Sequence, residues 1–180
     1  MPIVAARLEL IEATPAMIRA ELESLEKLGA LLAAAMPEAW PPEFFERDDL
    51  ERALAWAEAE SFDPAWGMRY FLADRPRRLV GVGGFFGPPK DGAVMLGYAV
   101  ARPFRGGGFA TEATLGMVDF AFADPRVQSI LAETLPELAA SMRVLEKAGF
   151  WPGGPANHPG AIRFEIRRND AGDATDMKAR

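Results

Sequence analysis

No cysteine occurs among the 180 residues, which excludes disulfides, thiolate nucleophiles and cysteine-ligated metals together. Histidine is almost missing: His158 stands alone, so a histidine-rich metal cluster is excluded and no metal is expected. No apolar run is long enough to cross a bilayer, and no basic segment followed by a short apolar stretch marks an export signal. The expected setting is the cytoplasm, with no membrane attachment. Positive charge is also in short supply. Lysine and arginine total 20 against 26 acids, a net of −6, which argues against DNA or broad nucleic-acid binding because that needs a basic face. The imbalance sits at the front: residues 1–60 hold 13 acids and 5 bases, a net of −8, whereas 61–180 carry a net of +2.

What is present suffices for one globular domain, with 49% hydrophobic and 26% charged residues. Residues 1–168 are expected to form that domain and 169–180, small, polar and aperiodic, a flexible tail. Along the chain, 3–11 alternates loosely as an opening strand. Thr14-Pro15 supplies an N-cap hydroxyl and a proline at the first helical position, and the apolar spacing continues that helix to about residue 35. Asp48 and Glu51 have capping-box spacing and open a second helix through 60. Residues 66–73 and 78–87 read as two strands about a turn at Asp74-Arg75-Pro76-Arg77. The run Gly81-Val82-Gly83-Gly84 imitates a dinucleotide fingerprint, but that motif must open a helix, and Pro88-Pro89 follow instead. Close packing or a bulge explains these glycines. Strands at 127–134 and 161–167, with a weaker one between 150 and 160, and a helix at 141–148 stopped by Gly149 complete the order.

The chain is organised around residues 97–113, Gly-Tyr-Ala-Val-Ala-Arg-Pro-Phe-Arg-Gly-Gly-Gly-Phe-Ala-Thr-Glu-Ala. A buried strand over 93–101 runs into an arginine- and glycine-rich loop, and a helix over 109–123 follows. The loop glycines have no Cβ, so a ligand can approach the bare backbone, and the first amides of the helix lack intrahelical partners. That combination is an anion site suited to phosphate. No acid lies between Asp91 and Glu112, while Arg102 and Arg105 flank the loop. The strand–helix–strand unit over 93–134 predicts a right-handed parallel crossover.

The spacing Arg105-x-x-Gly108-x-Ala110 between strand and helix resembles the acetyl-CoA loop of the GNAT N-acetyltransferases. The run RGGGFATEA looks like their ribosomal-protein-acetylating branch. A second block, Ser141-Met-Arg-Val-Leu-Glu-Lys-Ala-Gly-Phe150, is similar to the S-x-RVLEK-x-GF helix of that branch. The resemblance implies a mixed α/β fold: a mostly antiparallel sheet with one parallel strand pair and helices on both faces. It also implies that those parallel strands splay apart to admit the pantetheine arm. Acetyl-CoA is the expected co-substrate. The amides of Arg105, Gly106, Gly107, Gly108, Phe109, Ala110 and Thr111 would then cradle pyrophosphate, with Ala99 and Val100 pairing to pantetheine and Ser141 near the cofactor sulfur.

The implied reaction is direct attack of a primary amine, on a protein N-terminus or a small molecule, on the bound thioester. A homodimer is compatible with the sequence. The acidic front half has two explanations, solvated helix faces or a rim that draws a cationic amine inward. Catalytic side chains match less well. Relatives often carry a glutamate two residues before the Gly-Tyr pair, where this chain has Met95, and an asparagine where it has Leu138. The remaining candidates each have a bland alternative. Ser141 caps its helix or meets the cofactor sulfur; Glu133 is a base through water or a solvated strand end; Tyr98 donates to the leaving thiolate or packs in the core. Trp40, Phe44, Phe45, Trp56 and Trp66 line an acceptor pocket or the core. The rival to an enzyme is a non-catalytic acyl-CoA-binding module that kept the loop and lost the base.

Overall fold

The computed structural model describes residues 1–169, so the tail expected over 169–180 lies outside the described residues apart from Asn169. Eight strands form one sheet in the order β1-β2-β3-β4-β5-β6-β8-β7. They are β1 (Ile3–Val4), β2 (Leu8–Glu12), β3 (Met68–Asp74), β4 (Arg77–Phe85), β5 (Ala93–Val100), β6 (Ser129–Thr134), β7 (Trp151–Pro152) and β8 (Ile162–Arg167). Every neighbouring pair is antiparallel except β5 and β6. Five helices flank the sheet: α1 (Pro15–Glu23), α2 (Leu25–Leu32), α3 (Arg47–Ala57), α4 (Phe109–Ala123) and α5 (Ala139–Lys147).

The sheet is buried on both faces, and each face has its own core. Ala113, Met117, Val118 and Ala121 of α4 and Leu145 of α5 pack with Phe71, Val94, Leu96, Ile130 and Phe164 on one side. Ile18, Leu28, Leu32 and Leu50 of α1–α3 pack with Tyr70, Leu72, Leu79 and Val82 on the other. The mixed fold and the parallel pairing of β5 with β6 across α4 are therefore as expected.

Three local expectations need correction. The strand over 3–11 is a hairpin, because the chain reverses at 5–7, where the Ala5 amide donates to Leu8 O at 2.8 Å and Ile3 pairs with Leu10. The helix over 14–35 is two helices. Ser24 takes an extended conformation (φ −164°), and its Oγ accepts from the Lys27 amide, so a serine legible only as an interior residue ends α1 and caps α2. The capping contact of α3 lies two residues earlier than Asp48 and Glu51: the Asp49 carboxylate accepts from the Glu46 amide at 2.8 Å.

The glycines of β4 serve close packing. A Cβ on Gly81 would stand 2.6 Å from Ala99 O, and one on Gly83 2.4 Å from Gly97 O; the Phe71 ring lies within 3.0 Å of both positions. A β-bulge shifts the β3–β4 register between Phe71 and Leu72 beside them.

Candidate active site

Strands β5 and β6 pair at only three positions, Ala93 with Ser129, Val94 with Ile130 and Met95 with Leu131. Beyond Met95, β5 keeps only its β4 partner, as far as Val100 opposite Gly81, and β6 keeps only β8, as far as Thr134 opposite Ile162. A gap opens between them. Met95 O accepts from the Phe86 amide at 3.0 Å, and the Ala101 amide donates to Val80 O at 2.9 Å, so these residues face β4. In an antiparallel ladder the backbone groups alternate sides residue by residue, which turns those of Tyr98 and Val100 into the gap. Val100 O meets Arg105 Nε there at 3.2 Å. Ala99 turns its backbone to β4 and its side chain toward the α1–α3 core.

At the end of β5 a single 3-10 turn, Arg102–Phe104, leads into the glycines. Gly106 (φ +77°) and Gly108 (φ +81°) are both left-handed, and Gly108 is the N-cap of α4. The first backbone bond of α4 runs from the Glu112 amide to Gly108 O at 3.0 Å, which leaves the amides of Phe109, Ala110 and Thr111 without intrahelical partners. Arg105 is engaged: besides Val100 O, its Nη1 pairs with Glu43 at 2.8 Å. A Cβ on Gly108 would come within 3.3 Å of Arg7 Nη2. Arg7 is a residue that the sequence reading missed. It is the first base of the chain and sits in the hairpin mistaken for a continuous strand.

Tyr98 and Ser141, far apart in sequence, are brought together across the gap. Tyr98 Oη lies 3.1 Å from Ser141 O and 3.2 Å from Ser141 Oγ. Burial pushes the Tyr98 phenol up to about 12, against the opposing pull of the Ser141 hydrogen bond. Ser141 does not cap α5: the N-cap is Leu138, whose carbonyl accepts from the Ser141 amide at 2.9 Å. Its hydroxyl is thereby left for Tyr98. Paired parallel residues share a face, so Ile130, Ala132 and Thr134 line up with Val94, Leu96 and Tyr98. Thr134, at the far end of β6 opposite Ile162, has a buried Oγ1 with no hydrogen-bond partner among the described residues.

Glu133 points to the other face and is saturated. It accepts from the Asn157 amide at 2.6 Å, the His158 amide at 3.2 Å, His158 Nδ1 at 2.9 Å and Arg163 Nη2 at 3.1 Å. Burial alone would raise its pKa, but these four donors outweigh burial and hold it at about 2. Such a carboxylate is ionised yet barely basic. Its geometry braces the 157–163 segment, and His158 is part of that brace. On the same face of β5 as Met95, the Phe86 ring covers Gly97, so closely that a Cβ there would meet it at 2.9 Å.

The five aromatic candidates scatter. Trp66 is core, edge-on to Phe85 and Phe120. Trp56 packs on Phe62, Trp40 donates to Glu21 at 2.6 Å, Phe45 rests on the α1–α3 core, and Phe44 is exposed. Glu21 also accepts from Tyr70, and burial raises its pKa although both hydrogen bonds oppose the rise.

A family profile described as "Acetyltransferase (GNAT) domain" matches residues 18–151. The chain belongs to the GNAT acetyltransferase family. The Bacillus subtilis (strain 168) protein named "Probable N-acetyltransferase YjcK" is 43% identical over 61 residues, 34% of this chain and 34% of that protein. The chain thus spans about a third of the length of that curated relative. Among solved structures, a GNAT-family acetyltransferase from Bacillus anthracis superposes with a TM-score of 0.63 at 20% identity, covering 94% of this chain and 99% of that one. RimL, a ribosomal L7/L12 alpha-N-protein acetyltransferase in complex with coenzyme A, gives 0.67 at 17% identity, covering 95% and 99%. At these identities the likeness establishes the GNAT fold.

The GNAT gap and loop fit a CoA-type ligand on this chain's own groups: backbone facing an unpaired edge, free helix-start amides, and the orphaned Thr134 hydroxyl. No cluster of metal-ligating side chains occurs among the described residues. No helix among them is long and apolar enough to cross a membrane.

Proposed function

We propose that this GNAT member transfers an acetyl group from acetyl-CoA to a primary amine, within the cytoplasm, by direct attack in a ternary complex. The observation that carries the reading is the parting of β5 from β6 after Met95, on the strand that leads to the unpartnered amides of Gly106–Thr111. Bound acetyl-CoA would supply an activated acyl carbon and a thiolate leaving group. The Arg105 amide already donates to Arg102 O, so the amides of residues 106–111 would hold the pyrophosphate, and the backbone of Tyr98 and Val100 the pantetheine amides. Fixing both reactants in line supplies much of the rate, because the free reaction is bimolecular. A gap-facing N–H of β5 would stabilise the negative charge that develops on the carbonyl oxygen. The amine nitrogen would bond to the acyl carbon as the C–S bond breaks; Tyr98, held protonated at neutral pH and oriented by Ser141, would give its proton to the departing sulfur, and the proton then shed by the new amide nitrogen would pass through water to the phenolate.

Met95 itself supplies no base on its face of β5, and Glu133 is committed to its four donors. The amine would therefore lose its proton to water before it attacks, which favours acceptors of low pKa, protein N-termini above all. The absence of a base equally favours a binding module, and turnover separates the two readings. The test has two parts. Acetyl-CoA is expected to raise the melting temperature, because a ligand that binds only the native state stabilises it. CoA release is then screened over N-terminal peptides and small amines. No thermal shift at millimolar acetyl-CoA refutes the cofactor reading; a shift without CoA release from any amine leaves the binding module.

A further inference from the structure

We propose that Arg7 is the cation of the cofactor-phosphate site and the brace of its loop. The inference rests on the reading of residues 106–111 as the phosphate cradle. The β1–β2 hairpin delivers Arg7 there because α4 lies tight on β1: a Cβ on Gly116 would stand only 3.2 Å from Ile3 Cγ2. At the start of α4, Arg7 engages almost everything in reach. Its Nε donates to Glu112 Oε2 at 2.8 Å, and its backbone amide donates to the other oxygen of the same carboxylate. Its Nη1 donates to Gly107 O at 3.1 Å, and its guanidinium lies 4.7 Å from the Phe109 ring centre. Three residues of the loop and first turn are thus tied to one side chain.

One nitrogen is left. Nη2 has no hydrogen-bond partner among the described residues, and it is the atom that lies 3.3 Å from where a Cβ on Gly108 would be. It therefore stands next to Gly108, the residue that precedes the free amides of Phe109, Ala110 and Thr111. The surrounding charges explain why a cation is needed. Glu112, in the first turn of α4, would by itself repel phosphate; paired to Arg7 it is neutralised. Arg105, the more obvious candidate by motif, is tied to Glu43 and Val100 O, and Arg102 is on the exposed 3-10 turn. A guanidinium presents five N–H donors in a fixed fork, so Arg7 can hold the carboxylate and the Gly107 carbonyl while its outer nitrogen faces a phosphate oxygen.

The test titrates wild type, Arg7→Ala, Arg7→Lys and Arg7→Ala/Glu112→Gln with CoA, and with pantetheine, which carries the thiol arm but no phosphate. Arg7→Ala is expected to raise the Kd for CoA by about tenfold or more relative to that for pantetheine. The residual binding should depend less on ionic strength, since a charge contact has gone. Adding Glu112→Gln is expected to recover part of the loss by removing the unmasked carboxylate. Arg7→Lys, which keeps the charge should the alanine variant fold poorly, is expected to fall between wild type and alanine. A proportional loss for both ligands, or an unchanged CoA affinity in a folded Arg7→Ala protein, overturns the proposal. Wild-type protein that binds neither ligand overturns the cofactor reading beneath it.

Discussion

Beyond Met95 and Leu131 the two parallel strands commit their hydrogen-bonding groups in opposite ways. β5 keeps a partner on one edge only, turns the backbone of Tyr98 and Val100 into the gap, and leads through a short turn to the Gly106–Thr111 amides, which lack partners. β6 remains laddered to β8 along its whole length, and its one carboxylate, Glu133, is saturated by donors from 157, 158 and 163. In the sequence Glu133 and Tyr98 each keep a catalytic and a bland reading. The structure separates them, Glu133 bound by four donors and Tyr98 turned toward Ser141. On the proposed reading the capacity to bind comes from groups left unpaired, whereas the Glu133 carboxylate is consumed in holding a loop.

The largest test of this contrast is Gly108→Val. It is expected to weaken acetyl-CoA binding by more than about a hundredfold, or about 2.7 kcal/mol. Two causes act together. The residue is left-handed at φ +81°, where a β-branched side chain is strained, and its Cβ would press on Arg7 Nη2, displacing the brace of the loop. Calorimetric titration checks it. Arg105→Ala should cost much less, about fivefold, because Arg105 must first release Glu43 before it can serve a phosphate. Equal losses from the two variants would mean that the loop backbone is not the binding element.

The next effect is on rate. Met95 shares its face of β5 with Gly97 and Ala99, away from Tyr98, and the Phe86 ring lies beside it over Gly97. With no base there, the acceptor must arrive neutral. At pH 7 an α-amino group with a pKa near ~8 is about a tenth neutral, whereas an alkyl amine near ~10.4 is less than about a thousandth neutral. The wild-type rate should therefore climb with pH until the free amine dominates, and α-amino acceptors should lead. Met95→Glu is expected to raise the neutral-pH rate by about tenfold and to flatten that climb. A bell-shaped wild-type profile with a lower limb near pH 6–7, unmoved by Met95→Glu, would show that another residue already takes the proton.

The sequence made the β5–loop–α4 unit legible because its cues are local: an apolar run, glycines at a turn and a 3.6-residue apolar spacing. The α5 block and the left-handed Gly149 stop were legible for the same reason. Arg7 was not, because its meaning comes from a hairpin reversal at 5–7 and from α4 packing on β1, neither of which has a local signal. Ser24 has an ordinary capping hydroxyl, but the leucine spacing runs across it and reads as unbroken helix. The pairing of Tyr98 with Ser141 and the saturation of Glu133 are tertiary facts, 43 and 24–30 residues apart in sequence. Residue type alone left both roles open for each.

The smallest expected effect concerns Glu133, and it probes the β6 side of the contrast. A general base contributes about 10²–10⁴-fold to the rate. If Glu133 is only a brace, Glu133→Gln should lower the rate at pH 7 by less than about threefold, and a hundredfold loss would restore it as the base. Its role should appear in stability instead. The folded carboxylate titrates at about 2, below its ordinary value of 4.5, so the native state favours the ionised form. That stabilisation is complete above about pH 4.5 and is lost as the pH falls toward 2, where the folded state must also take up the proton. Glutamine can offer one acceptor oxygen but turns an NH2 toward donors, so the variant should melt a few degrees lower at neutral pH. The gap between variant and wild type should then narrow through the pH 4.5–2 window as the wild-type carboxyl protonates. A melting difference that stays constant across that window would show that the four donors do not hold Glu133 as a carboxylate.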